Sequence, residues 1–213
     1  KLTQDENSSV RMSAAGALGE AFGLVPDKDL VWKDLHKLTQ DEDSSVRWWA
    51  AGALGEAFGL VPDKDLAWKD LHRLIKDEDS SVRWSAVSAL GEAFGLVPDK
   101  DLAWKDLHKL TQDEDRYVRC TSFHSLGRIS ILRATESDDE FRTHLEEAIE
   151  FFRRSSDETS FTNPAAFCLP FYRSLHTLLF TEMPKEEEIQ KYLAKAKGAI
   201  KASESKEVLL EAV

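Results

Sequence analysis

A chain of 213 residues, 42% hydrophobic and 31% charged, has the composition of a folded globular protein and excludes wholesale disorder. Its formal net charge of −11 repels phosphate backbones and anionic membrane surfaces, and no basic stripe offsets it, so neither nucleic acid nor membrane is expected as a partner. No apolar run approaches the roughly 18 residues that span a bilayer, and the two cysteines, Cys120 and Cys168, form neither a disulfide framework nor a zinc spacing, which together read as a cytoplasmic protein.

The dominant feature is an internal repeat. The segment KLTQDENSSVRMSAAGALGEAFGLVPDKDLVWKDLH at 1–36 returns at 37–72 with four changes, and 73–108 repeats 37–72 with six, giving a period of 36 residues. A fourth copy opens at Lys109 with KLTQDEDRYVRCTSFHSLGRI and then diverges, as the terminal unit of a stacked array does. Lys1 to Gln4 correspond to the end of the unit before, so the chain is expected to begin inside a longer protein.

Each unit predicts two helices. Val25-Pro26 breaks the chain and Asp27 caps a first helix, A, running to about Thr39 with Leu30, Val31, Leu35 and Leu38 on one face. Trp32, Trp68 and Trp104 border this apolar arc and are expected in the core or the seam between units. Asp41 to Asp43 form a turn, Asp43 caps a second helix, B, from Ser44 to about Phe58, and Gly59 is the candidate C-cap. Along helix B the residues Val46, Ala50, Ala53, Leu54, Ala57 and Phe58 make the stripe that faces a core. Trp48 lies roughly 200° round the wheel from Val46, on the side that meets water.

The order Asp41-x-Asp43-x-x-Val46-Arg47-x-x-Ala50-Ala51-x-Ala53-Leu54-Gly55-Glu56 resembles HEAT-like repeats of the short prokaryotic and archaeal kind, also found in phycobilisome-lyase proteins. The resemblance implies an all-helical, right-handed α-solenoid over residues 1–132. It also implies a hydrogen-bonded ladder between units, formed by Asp5, Asp41, Asp77 and Asp113 with Arg11, Arg47, Arg83 and Arg119. The scaffold motif alone carries the likeness, so no cofactor is implied.

From about residue 133 a separate C-terminal region, 133–213, is expected to cap the array with a small helical bundle. SDDEFRTHLEEAIEFFRRS reads as an amphipathic helix, Asn163-Pro164 opens another that Pro170 should kink, and PKEEEIQKYLAKAKGAIKAS makes a third. SKEVLLEAV continues in helical pattern to the last residue. Eight of the fourteen Phe and Tyr residues fall between 141 and 180, as a bundle core requires.

Catalytic constellations are thin. His36, His72 and His108 occupy one repeat position and read as a ladder of solvated histidines before they read as a metal site. No histidine precedes a glutamate, the pairing by which the HEAT-like deoxyhypusine hydroxylases hold iron, and Gly16, Gly19 and Gly23 sit at helical spacing rather than in a phosphate loop. The reading is therefore a non-enzymatic scaffold that binds a protein or peptide partner, with basic partner segments favoured by the acid charge. In the family pattern the position after Val-Arg and the one four later carry charge on the inner face of the array. Here they hold Met12 and Gly16, Trp48 and Gly52, Trp84 and Ser88, Cys120 and His124, an apolar ridge beside small residues. Met12, Trp48, Gly52, Trp84, Ser88, Tyr117, Cys120 and His124 form the candidate partner-binding set. The competing reading is that each tryptophan merely fills the seam over the neighbouring unit's glycine. The other functional class consistent with the sequence is a regulatory or sensor segment of a larger signalling protein whose catalytic domain lies outside this chain.

Overall fold

The computed structural model describes residues 1–158 and 165–202, with side chains to 199. Among the described residues all regular structure is helical, as the 36-residue period predicts. A short 3-10 turn at Leu2–Gln4 precedes α1 (Ser8–Ala21), α2 (Lys28–Leu38), α3 (Ser44–Ala57), α4 (Lys64–Leu74), α5 (Ser80–Ala93) and α6 (Lys100–Leu110). Then come α7 (Arg116–Glu136), α8 (Phe141–Glu158), α9 (Ala165–Phe180) and α10 (Glu186–Ala202). The helical opening expected at Asn163-Pro164 and the pattern at SKEVLLEAV lie outside the described residues.

The chain forms two compact units, Lys1–Leu110 and Thr111–Val213. The division expected at 132/133 falls inside α7, which runs unbroken to Glu136. The reason is local. After the Leu-Gly pair the three regular B helices meet Glu-Ala-Phe-Gly-Leu-Val-Pro, whereas the fourth copy continues Arg-Ile-Ser-Ile-Leu-Arg, with no glycine or proline to stop it. The helix gains a further two turns.

In the first unit the caps are as the sequence predicts. Asp27 and Asp63 accept from the amides of Leu30 and Leu66 at 3.0 and 2.9 Å, opening the A helices. Asn7, Asp43 and Asp79 accept from the amides of Ser9, Ser45 and Ser81 at 2.9, 2.8 and 2.8 Å, opening the B helices. The C-termini differ from expectation, because Gly59 does not adopt a left-handed conformation and no described residue has a positive φ. Instead α3 ends through tight turns, with the Phe58 amide donating to the Gly55 carbonyl at 3.3 Å and the Leu60 amide to Ala57 at 2.8 Å.

The B helices α1, α3 and α5 stack side by side, and their spacing is set by glycine. A Cβ at Gly19 would stand 2.8 Å from the Ala53 backbone, and one at Gly55 would stand 2.8 Å from the Ala89 backbone. Phe22, Leu35, Leu54, Phe58, Leu71 and Leu90 are fully enclosed between the layers of A and B helices. Trp32 and Trp68 are buried with them, as expected for the A-helix tryptophans, while Trp104 is half-buried.

The arginine ladder is present within this unit. Arg11 donates through Nε and Nη2 to the Asp41 carboxylate at 2.7 and 2.8 Å, and Arg47 repeats the fork on Asp77 at 2.8 and 2.9 Å. Each arginine also closes its own turn, Nη1 of Arg11 reaching the carbonyls of Asp5 and Glu6 and that of Arg47 the carbonyls of Asp41 and Glu42. Burial works to raise the Asp41 pKa, but the Arg11 fork and the Asp43 amide outweigh it and hold the carboxyl below its ordinary range.

A second set of contacts joins the A helices at His36 and His72, which are half-buried rather than solvated, while His108 is exposed as expected. His36 Nδ1 lies 2.5 Å from the carboxylate of Asp70 in the next unit, which is 1% exposed, and His72 Nδ1 lies 2.7 Å from Asp106. The Gln40 side-chain amide at 3.0 Å and Lys76 Nζ at 2.6 Å stand against the Nε2 atoms of His36 and His72. At the first end Thr3 donates to Asp34 at 3.1 Å, and Asp34 holds the repeat position of Asp70 and Asp106.

In the second unit α7 packs on α8 around Gly127, where a Cβ would meet the Phe152 ring at 2.6 Å. Leu145, Ala148, Phe152, Ala165, Phe167, Cys168, Tyr172 and Ala196 form the core, with Phe152 and Tyr172 stacked at 5.6 Å. Arg119, the ladder arginine of this unit, donates to Glu158 at 2.8 Å. Pro170 lies inside α9 and removes one N–H from its hydrogen-bond ladder.

Two outcomes follow from this packing. Gly55→Ala should destabilise the first unit by about 1–3 kcal/mol, because the overpacking cost against backbone exceeds the roughly 1 kcal/mol that alanine gains in helix propensity. Gly95→Ala, with nothing within 4 Å of its Cβ, should be neutral or better in the same urea titration. The depressed Asp41 carboxyl gives stability that is complete above the unfolded value near pH 4 and is lost as pH falls toward the folded value. Asp41→Asn should therefore lower the urea midpoint at pH 6 and flatten its decline between pH 4 and pH 2, read by circular dichroism.

Candidate functional site

The site begins with a departure from the repeat. At position 49 α3 carries tryptophan where α1 and α5 carry Ser13 and Ser85, so two indoles stand side by side at Trp48 and Trp49. Their ring centres are 4.9 Å apart with planes at 88°, an edge-to-face contact. Trp48 also stacks on Trp84 of α5 at 6.0 Å and 18°, while Trp49 leans over α1, where a Cβ at Gly16 would come within 3.0 Å of its ring. Ser85, at the repeat position of Trp49, donates to the Trp48 carbonyl at 2.9 Å.

The three indoles border a pocket of about 240 Å³ on the B-helix face. From α1 it is lined by Gly16 and Glu20; from α3 by the two tryptophans, Gly52, Ala53 and Glu56; from α5 by Trp84, Ser85, Ser88, Ala89 and Glu92. The glycines make room, the alanines form the floor, and no lysine or arginine lines it. The glutamates recur with the repeat and lean across the seams. A Cβ at Gly19 would stand 2.8 Å from a Glu56 carboxylate oxygen, and one at Gly55 would stand 3.4 Å from a Glu92 oxygen. Trp49 and Trp84 keep 41% and 38% of their surface exposed, and Trp48 is half-buried between them.

The candidate residues read from sequence divide among different surroundings. Trp48, Gly52, Trp84 and Ser88 are brought together in this pocket, and Met12, half-buried on α1, does not line it. Tyr117, Cys120 and His124 belong to the second unit. Tyr117 is 43% exposed, with the Arg116 guanidinium 5.6 Å from its ring centre. Cys120 is buried, contrary to its place on an exposed ridge, because α8 covers that side of α7; the Ser155 hydroxyl donates to the Cys120 carbonyl at 2.9 Å. His124 packs its ring against Phe152 at 5.6 Å, and burial, with Arg128 nearby, pushes its pKa down to about 3. Trp49 and the three glutamates complete the pocket without standing out by periodicity. Trp49 is detectable only as a break in the repeat, and the glutamates only as a row that the fold turns toward one face.

Among the described residues no group of three or more His, Cys, Asp or Glu is placed to hold a metal ion, and no helix is long and apolar enough to cross a membrane.

Stacked helix pairs with inter-unit ladders and glycine seams define a helical-repeat protein of the α-solenoid class. The family model for HEAT repeats matches residues 1–68, 37–104 and 71–156, and the chain belongs to that family, whose repeats generally mediate protein–protein interaction. No curated protein matches the chain by sequence. Among solved structures it is similar to an engineered protein from the Northeast Structural Genomics Consortium, at 22% identity over 94% of each chain with a TM-score of 0.47.

Protonation of His124 supplies a measurable consequence. A ring that stays neutral down to about pH 3 in the fold, but titrates near 6.5 when unfolded, lets the unfolded chain bind the extra proton, so stability falls as pH drops below about 6.5. His124→Phe should remove that part of the pH dependence between pH 7 and 5, measured as the thermal midpoint.

Proposed function

We propose that the chain is a non-enzymatic interaction scaffold whose partner-binding surface is the B-helix face of the first unit, centred on Trp48, Trp49 and Trp84. The observation that carries this reading is the exposure of clustered indoles beside small residues, at a position where the repeat needs no core. Tryptophan gives a large contact area for little lost rotamer freedom, which is why it dominates the centres of interfaces. The acid balance of the chain favours a partner that presents basic segments. Trp48 and Trp49 both serve this surface: Trp48 is held by its neighbours, and Trp49 bridges to the glycine of the preceding unit.

Peptides selected from a random display library against the intact protein test the reading. Trp48→Ala and Trp84→Ala should each weaken the selected peptides by more than about 1 kcal/mol, as loss of a central aromatic anchor does. The folded state should lose only the stacking energy, about 0.5–1.5 kcal/mol. A stability loss of about 3 kcal/mol or more, with selected peptides binding unchanged, would make the tryptophans seam packing.

A further inference from the structure

The seams of the first unit are built from one pair of surfaces, and a further copy of one of those surfaces stands uncovered. Residues 1–36 and 37–72 differ at four positions, so α1 carries nearly all the side chains with which α3 receives its neighbour. On α3 that surface is filled. Ala53 takes the close approach of Gly19, and Val46, Leu54 and Ala57 are enclosed. α5 receives α3 in the same way, with Ala89 against Gly55 and with Val82, Leu90 and Ala93 enclosed.

On α1 the equivalent residues are open. Ala17 is exposed, and Val10, Leu18 and Ala21 are only half-buried. Leu2, in the 3-10 turn before α1, is 64% exposed where Leu38 is 1%. No described helix covers this side of α1. It is apolar surface that a further pair of helices would remove from water.

The arginine ladder is open at the same end. Asp41 and Asp77 each accept a turn amide, from Asp43 and Asp79 at 3.0 Å, and each takes an arginine fork from the unit before. Asp5 accepts the Asn7 amide at 3.0 Å, so the same turn bond holds its carboxylate. Its side chain is exposed, however, and no described guanidinium forks it.

We infer that this face of α1 is a docking surface for one more HEAT-like helix pair, a B helix followed by an A helix, whose arginine forks Asp5 and whose glycine lies on Ala17. The chemistry of the occupant is that of α1 itself, because a repeated surface takes a repeated neighbour. One position is relaxed. A Cβ at Gly16 would come within 3.0 Å of Trp49, whereas one at Gly52, facing Ser85, would have 3.5 Å. Since α1 carries Ser13 at that repeat position, the occupant needs glycine opposite Ala17 but tolerates alanine opposite Ser13. Neither Trp48 nor Trp84 takes part, so this face and the tryptophan surface stand or fall separately.

The probe is a capped peptide with the sequence of residues 5–36, titrated into the full chain. Isolated helices of this length are marginal in water, so docking reads as a saturable gain in helical circular dichroism. In the chain, Asp5→Asn should weaken docking about fivefold by removing a charge-assisted fork, and Ala17→Arg should weaken it more than about thirtyfold by filling the seam. In the peptide, Gly19→Leu should match Ala17→Arg, and Gly16→Ala should cost less than about twofold. Joining the same segment ahead of Lys1 raises its effective concentration and supplies a second readout. The urea midpoint should rise, and Asp5→Asn should lower it in the joined chain while leaving that of the original chain unchanged. Docking by either route that depends on both Asp5 and Ala17 bears out the surface. Docking indifferent to either residue overturns it, as does the absence of both a helical gain and a higher midpoint. Self-association of the full chain that Ala17→Arg abolishes, seen by sedimentation, would give the face to a second copy and overturn it as well.

Discussion

The fold of the first unit depends on how closely one B helix can approach the next. That approach is governed by Gly19 and Gly55, whose missing side chains let Ala53 and Ala89 of the neighbouring helices reach backbone contact. Once the helices are that close, the arginine of each unit stands within reach of the turn aspartate of the next. The Arg11–Asp41 and Arg47–Asp77 forks then lock the spacing with paired, charge-assisted hydrogen bonds. Between the A helices single close contacts, His36–Asp70 and His72–Asp106, link successive units. A buried carboxylate left without such a partner would be costly, so these links constrain register as well as contributing energy.

The same close approach creates the candidate site. Side chains that would be separate on isolated helices become a continuous surface when α1, α3 and α5 stand side by side, and a residue repeated every 36 positions becomes a row. Trp48 can stack on Trp84 only because the seam is narrow, and Trp49 finds room only because Gly16 faces it. The pocket is a by-product of the stacking geometry that tryptophans at positions 48, 49 and 84 make aromatic. The second unit follows a different plan, in which an unbroken α7 and its Gly127 seat α8, and aromatic side chains fill the core. The position that carries tryptophan on α3 and α5 is there a buried cysteine.

Much of this architecture is legible in sequence because it is local or periodic. The capping aspartates at 27, 43, 63 and 79 are readable from their place before an amphipathic run, and a hydrogen bond two or three residues away needs no tertiary information. The 36-residue period identifies the repeat, and the Asp-Val-Arg motif identifies the ladder, since identical units must make identical contacts. Four members of the candidate binding set, Trp48, Gly52, Trp84 and Ser88, lie together for the same reason.

Tertiary structure alone decided what depends on distance between units. Whether the histidines of the A helices face water or a buried Asp70, and whether Cys120 is exposed or lies under α8, cannot be read from wheel position, because a wheel records direction and carries no information about what stands there. The same holds for Trp49 and for Glu20, Glu56 and Glu92, which acquire a shared pocket only when three helices are set side by side. The division of the chain at residue 110 is likewise a matter of which helix packs on which, while the sequence marks only where the repeat stops matching itself. Periodicity determined the units and their caps, because those interactions are short-range; the seams, and whatever function lies in them, arose from the packing of one unit on the next.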